Sequence, residues 1–471
     1  MFRRCLFACL LLTACVAVRS GADEKKAPAK PEAPSFARLL WSASDLLLDQ
    51  QISPPSRQQV LLEGVRKLLA KAGKPEPNDL ARKVSAVTTP EQLEELLKEL
   101  GPVATTPQAN VSVLESTLSA LPGRPHYYSP EFVESTGIHQ NNNYVGIGIQ
   151  VRMHDKEKLT CIVVPFPGGP YRRAGGKTND LIVEVDGKSM AGVKLADVVK
   201  ALRGGEGTGV TALVRQPGSS ETRLLKMVRE VIPFQSAMGY RRISEDEYDF
   251  HAEPGLPVAY VRLTGPTSST YHELRRIERH LRSEGYRALV LDLRGTNPGS
   301  MVHTAQVADA FLDGGLMWKI RDSHGRVKEY KADRDCLFRD WPVVVLVNSG
   351  TVESAALIAG ALQDRGRAVL VGTPSGAGAT VRSLELLPDG MGGVNLPTGI
   401  VERLKPGTKP ELAPDHVVPM DTKHWQQLLI WHSSQESPEP PAAKAPEDPQ
   451  LAKALDLLRD ALKEKKEKTA G

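Results

Sequence analysis

The sequence predicts an α/β protein with a layered core, and two stretches carry that expectation. Residues 341–382, WPVVVLVNSGTVESAALIAGALQDRGRAVLVGTPSGAGATVR, hold an apolar run at Val343–Val347 bounded by Pro342 and by Asn348-Ser349-Gly350. That is the pattern of a strand buried on both faces. A helix is expected next: Ala355, Leu357, Ile358, Ala361 and Leu362 share one helical face, Thr351 is placed to cap the start, and Gly366 lies just past an end at Asp364. A second buried strand at Ala368–Val371 then returns to a glycine-rich loop, which completes a βαβ unit. The same order is expected upstream, with a strand at Val258–Leu263, an amphipathic helix at Tyr271–Glu284 and a buried strand at Ala288–Leu293.

At 471 residues the chain is long enough for about three domains. Its composition, 41% apolar and 25% charged, is that of a soluble globular protein, and its net charge of +4 is small, with both signs interspersed, so no nucleic-acid partner is indicated. Residues 1–22 read as a targeting segment: Arg3 and Arg4, an apolar run from Cys5 to Val18, then small residues, too short to span a bilayer. Two processing routes fit it. Leu12-Thr13-Ala14-Cys15 has the form of a lipoprotein box that leaves a lipid anchor on Cys15, whereas Ser20-Gly21-Ala22 offers ordinary cleavage before Asp23. The apolar Val16-Ala17-Val18 after the cysteine favours the soluble product. Either route exports the chain to a bacterial periplasm or cell envelope.

Residues 23–35, rich in Lys, Ala and Pro, read as an extended linker. Residues 36–136 carry a helical pattern, with Leu39, Leu40 and Leu46, then Val60, Leu61, Val65 and Leu68, then Leu93, Leu96 and Leu97; Thr89-Pro90-Glu91-Gln92 is a helix start. In residues 137–232, Val145–Val151 alternates as a strand beside a glycine turn, and Leu195, Val198, Val199 and Leu202 mark the apolar face of a helix. Residues 233–432 hold the layered core, with alternation toward strands again at Leu384–Asn395. Residues 433–449 form a Pro-rich linker, and residues 450–471 an amphipathic helix expected to pack back on the chain or on a second copy. The two cysteines outside the leader, Cys161 and Cys336, fall in different domains, so no disulfide framework is expected. The scattered histidines give no metal site, and nothing calls for a cofactor.

Several of these pieces, in this order, resemble the carboxyl-terminal processing, or tail-specific, serine peptidases. They are the strand, Asn-x-Gly turn and helix ending Ala-Leu-Gln-Asp; the loop Leu293-Arg294-Gly295-Thr296-Asn297-Pro298-Gly299-Ser300; the opening Tyr144-Val145-Gly146-Ile147-Gly148-Ile149; and the closing Pro414-Asp415-His416-Val417-Val418. The resemblance covers about residues 40 to 430. It implies a crotonase/ClpP-like layered α/β peptidase core with an inserted PDZ domain and a helical N-terminal region. It also implies a peptide groove in which the loop amides at Gly146, Ile147, Gly148 and Ile149 receive a terminal carboxylate while Leu195, Val199 and Leu202 wall a side-chain pocket.

The chemistry implied by the resemblance is a serine at a helix N-terminus, a neutral lysine as its base and backbone amides for the oxyanion. Counted residue by residue, those positions hold other residues here. Glu353 takes the nucleophile's place whether one counts forward from Pro342 or back from Asp364, Gly378 takes the lysine's, and Arg382 that of an assisting glutamine. The oxyanion region falls on Gly299, Ser300 and Ser354, with Ser300 replacing the second glycine of the pattern. The expectation is a catalytically inactive pseudoprotease that binds polypeptide C-termini or unfolded envelope proteins, as a monomer or a homo-oligomer. The alternative is an active serine endopeptidase whose nucleophile is Ser354, with a base from elsewhere, for which Lys405 and Lys409 are candidates. A third reading makes Glu353 and Arg382 a non-proteolytic carboxylate site. His303 and Asp415-His416 are read as scaffold.

Overall fold

A computed structural model of the chain describes residues 34–101, 106–130, 132–133, 143–154, 156–166, 168–233, 235–244, 247–333, 336–375, 380–404, 412–435 and 445–470. Helices α1 (Phe36–Gln50), α2 (Arg57–Lys71), α3 (Leu80–Ser85), α4 (Pro90–Glu99) and α5 (Pro107–Ala120) open it. Serines and threonines start four of the five: the hydroxyls of Ser35, Ser56, Thr89 and Thr106 each accept from the amide three residues on, while α3 follows Asp79 with no side-chain cap bond. Strand β1 (His126–Tyr128) leads to β2 (Asn143–Gly146), β3 (Ile149–Met153), β4 (Thr160–Pro165), α6 (Pro170–Arg173), β5 (Leu181–Val185), β6 (Lys188–Ser189), α7 (Leu195–Leu202), β7 (Gly209–Arg215), β8 (Thr222–Val228) and β9 (Glu230–Pro233). There follow β10 (Ala237–Met238), β11 (Arg241–Arg242), β12 (Tyr248–Asp249), β13 (Val258–Leu263), α8 (Thr270–Ser283), β14 (Ala288–Asp292), α9 (Met301–Asp309), β15 (Gly315–Asp322), β16 (Val327–Ala332), β17 (Val343–Val347), α10 (Glu353–Asp364) and β18 (Val369–Gly372). The last elements are β19 (Thr380–Leu386), β20 (Gly393–Glu402), β21 (His416–Val417), α11 (Thr422–Gln435) and α12 (Pro449–Ala470).

The central sheet runs β10-β13-β14-β17-β18-β21, parallel from β13 onward. Helices cover both faces, which is why its strands read as unbroken apolar runs. Along β14, Leu289 and Leu291 join a core with Leu274 of α8, Val307 of α9 and Ile358 of α10, while Ala288 and Val290 face Leu451, Ala454, Leu455 and Leu458 of α12. At about 1.5–3 kcal/mol for each leucine removed from water, the C-terminal helix is a full layer of the core.

A second sheet, β1-β20-β15-β16 with β19 on β20, carries the helical head: Tyr127, Val394 and Leu396 share a core with α1, α2, α4 and α5. The third sheet, β3-β4-β5-β7-β8 with β6 on β5, packs Ile162 and Val214 against Tyr171 of α6 and Val198 of α7. Its entry and exit strands, β2 and β9, pair antiparallel with Asn143 opposite Pro233, so this unit is inserted through two adjacent strands.

Four sequence expectations change. Thr351 does not cap α10. It is fully buried, donates to the Leu293 carbonyl (3.0 Å) and accepts from the Asn348 amide (2.9 Å), leaving Val352 as an N-cap with no side-chain bond. The strand expected over 145–151 breaks at Ile147-Gly148, because Gly148 takes φ +72° and β2 and β3 pair with different partners. Of the three helix residues expected to wall a side-chain pocket, Leu202 is buried in the core beside Val198, while Leu195 and Val199 stay half-exposed. The segment 433–449 is not linker throughout: α11 runs to Gln435, and Asp448 is buried against Arg294.

Candidate functional site

The loops after β14 and β17 lie at the carboxyl ends of neighbouring parallel strands, where open α/β sheets place their ligands. The β17 loop delivers Glu353 as the first residue of α10, with a left-handed backbone at φ +46°. A non-glycine residue pays about 1–3 kcal/mol for such a backbone, and strain of this kind gathers at functional positions. Its side chain is half-buried. Burial pushes the Glu353 carboxyl above the usual carboxylate range, and the Arg382 charge pulls the other way.

The neighbouring hydroxyl is closed. Ser354 is buried, and its Oγ accepts from the Gly299 amide (2.9 Å) and donates to the Gly299 carbonyl (3.0 Å). Gly299 is held equally tightly from behind, since a Cβ there would sit 2.0 Å from the Pro266 carbonyl oxygen. Ser300 caps α9: its Oγ accepts from the His303 amide (3.3 Å) and lies 2.9 Å from His303 Nδ1. Burial lowers the His303 pKa, which favours the neutral ring.

Arg382 acts as a clamp. Its guanidinium donates to Asn395 Oδ1 (2.6 Å) and to the carbonyls of Gly123 (2.9 Å), Arg124 (3.0 Å) and Asn395 (3.0 Å), tying β19 to β20 and to the turn before β1. Burial lowers its pKa, with Glu353 and then Tyr128 opposing. Gly378, Lys405 and Lys409 lie outside the described residues. Asp415 accepts from the Leu370 amide (2.8 Å) and from Gln363 (3.1 Å), a scaffold role. Among the described residues no cluster of His, Cys, Asp and Glu is arranged to hold a metal.

Sequence reasoning missed the anchor of the β14 loop. Arg294 is fully buried and donates to Asp292 (2.7 Å), Asp448 (2.8 Å) and Gln450 (3.0 Å), while the Tyr260 hydroxyl donates to Asp292 (2.6 Å). Burial alone would raise the Asp292 carboxyl, but the charge and hydrogen bonds of Arg294 outweigh it and hold it below its ordinary range. The available signal was an Asp and an Arg two apart at the end of an otherwise apolar strand, which are tolerated there only when paired.

At the inserted unit, the Ile147 and Gly148 carbonyls accept from the Tyr171 (2.9 Å) and Phe166 (2.8 Å) amides. Outside the sheet ladders no backbone carbonyl among the described residues accepts from the Ile147 or Gly148 amides, and both residues are buried beside the start of β3. Among the described residues β3 pairs with β4 on one side only, and Ile149 and Val151 pack on the core that also holds Val198 and Leu202 of α7.

Residues 257–415 match the profile of Peptidase family S41. The chain is 30% identical over 264 residues to the carboxyl-terminal-processing protease of a Picosynechococcus species, covering 56% of this chain and 61% of that one. It spans about half to three fifths of the length of the first curated relatives it matches. Among solved structures, a photosystem II D1 C-terminal processing protease is similar at 23% identity and a TM-score of 0.38, over 81% of this chain and 100% of that one. The PDZ domain of a carboxy-terminal protease from Vibrio cholerae, in complex with peptide, is similar at 27% identity and a TM-score of 0.18, over 20% of this chain and 99% of that one. The matched span begins one residue before β13 and ends at Asp415, so it encloses both βαβ units and the Glu353 turn: residues 257–415 are a peptidase family S41 domain, and the chain is a homologue of the carboxyl-terminal processing proteases.

Proposed function

We propose that this chain is an exported, non-proteolytic homologue of the C-terminal processing peptidases that binds the C-terminal tails of other polypeptides. The observation that carries this reading is the occupancy of the α10 N-terminus: Glu353 stands first, and the only hydroxyl beside it in the helix is bonded at both its lone pair and its proton to Gly299. Serine peptidase chemistry needs a hydroxyl within hydrogen-bond reach of a base and an unengaged oxyanion donor. An ionised carboxylate has no proton to give up and no hydroxyl oxygen to attack with. The Gly299 amide, which the family resemblance assigns to the oxyanion, is engaged by Ser354 Oγ. The same contact counts against Ser354 as a relocated nucleophile. Glu353 and Arg382 offer a carboxylate and a guanidinium, but all four Arg382 bonds go to scaffold acceptors, which speaks against a carboxylate site built on the pair.

Tail binding is supported by the inserted unit. The Ile147 and Gly148 amides suit a terminal carboxylate, the open edge of β3 suits an added strand, and half-exposed Leu195 and Val199 suit an apolar last side chain. Export rests on residues 1–22, which lie outside the described residues; among the described ones no helix is long and apolar enough to cross a membrane. A scan of apolar-ended peptides tests the groove. Free-acid tails are expected to bind about tenfold or more tighter than their amidated forms, since the amide loses the charge-assisted bonds. Equal binding of the two forms would remove the groove's role.

A further inference from the structure

On the face of the core formed by α12, away from Glu353, the C-terminal half of that helix and the turn from α8 to β14 enclose an open cavity of about 540 Å³. Its wall gathers Arg282, Arg287, Arg459, Lys463, Lys465 and Lys466 against one carboxylate, Asp340. The helix sorts its charges to achieve this. Arg459, Lys463 and Lys466 are spaced i, i+4 and i+7 on one face, and Asp456, Asp460, Glu464 and Glu467 are spaced i, i+4, i+8 and i+11 on the next. Like charges at i, i+4 on a helix repel and opposite charges at i, i+3 or i, i+4 attract. Here Arg459 and Lys463 each pair with the acid three residues earlier, Asp456 (2.5 Å) and Asp460 (3.6 Å), which holds the two charged faces side by side.

The core also fixes several of these cations. Arg459 is held by both oxygens of Glu253 at 2.9 Å, and Arg282 stacks over Trp341 at 5.5 Å and donates to the Leu337 carbonyl at 3.1 Å. Lys465 donates to the Asp340 carbonyl at 2.6 Å. Arg287, from the α8–β14 turn, has no side-chain hydrogen bond among the described residues and lines the same space. Leu256, Pro257 and Leu462 add apolar lining.

We propose that this cleft binds a phosphate-bearing anion with an apolar or neutral organic part. The Arg287 fork, with lysines and two carboxylate-paired arginines (Arg459 to Glu253 and Asp456, Arg282 to Glu278) around one cavity, suits the oxygens of a multiply charged phosphate better than a single carboxylate, and the apolar lining fits the ester's organic portion. The volume lies in the usual range for small-ligand sites, about 300–1,000 Å³. The source is either a soluble phosphate ester or the headgroup of an anionic lipid, and the test separates them.

The purified mature chain is titrated calorimetrically with inorganic pyrophosphate. In parallel it is co-sedimented with phosphatidylcholine vesicles with and without phosphatidylglycerol. Both are repeated with the Arg287→Gln/Lys463→Gln/Lys466→Gln variant, which leaves the Glu253-bound Arg459 in place, and a thermal melt checks that the variant is folded. Pyrophosphate binding that weakens about tenfold or more in the variant assigns the cleft to a soluble phosphate. Sedimentation with the anionic vesicles alone, lost in the variant and weakened by added salt, assigns it to a headgroup. Binding of neither probe by the wild-type chain, or equal binding by a folded variant, overturns the proposal. Neither readout depends on peptide binding or proteolysis.

Discussion

Glu353 combines a strained backbone with a half-buried acid, and both are removable. Glycine adopts φ +46° without the Cβ penalty, so Glu353→Gly is expected to gain about 1 kcal/mol in denaturant unfolding; a loss of stability would mean the carboxyl makes a contact that outweighs its strain. Ser354→Ala removes both bonds to Gly299 and is expected to cost about 1–2 kcal/mol. Gly299→Ala drives a Cβ into the Pro266 carbonyl and is expected to cost about 2 kcal/mol or more, measured the same way. Counting along the sequence placed Glu353 at the helix start, because strand, turn and helix keep their lengths. It did not show that Ser354 is closed or that Thr351 is buried, since both depend on the β14 loop crossing over the β17 loop, a contact between segments far apart in the chain.

The elements most legible in sequence were those buried on both faces. Val258–Leu263 and Val343–Val347 form strands over the residues expected, and Ala288–Asp292 stops one residue early. Two layers covering a strand leave no polar alternation to misread. In the Pro-rich stretch before α12, composition does not reveal that Asp448 pairs with Arg294. Asp448→Ala is expected to destabilise by about 3 kcal/mol by under-pairing a buried guanidinium, and Leu458→Ala by about 2–5 kcal/mol by opening a cavity between α12 and the sheet. Both are read from denaturant midpoints. On α11, His432 is buried, its Nε2 has no hydrogen-bond partner among the described residues, and burial, with Arg262 and Arg294 nearby and Asp292 opposing, lowers its pKa from 6.5 to about 3. A histidine whose folded pKa is depressed takes up its proton in the unfolded chain first. Stability should therefore fall as pH drops below about 6.5 toward about 3. In unfolding measured between about pH 6.5 and pH 5, His432→Leu should flatten that slope, leaving the part due to His303, whose pKa burial also lowers. An unchanged slope would place the proton uptake elsewhere.

At the scale of the molecule, a helical head, an inserted sheet unit and a layered core each have their own apolar cluster, and Arg382 ties the turn before β1 to β19 and β20. The layered core and the inserted unit were legible because their motifs occur in a fixed order. The covering of the sheet by α12 was not, because an amphipathic helix advertises an apolar face without naming what it meets. The central claim is that the scaffold persists while the residues at its reactive positions have changed. Cleavage of an unfolded model protein with an apolar C-terminus tests it most directly, comparing the mature chain with Ser354→Ala and with Glu353→Ser/Gly378→Lys. No cleavage by the first two and cleavage gained by the double variant is the predicted result. Wild-type cleavage abolished by Ser354→Ala would contradict it.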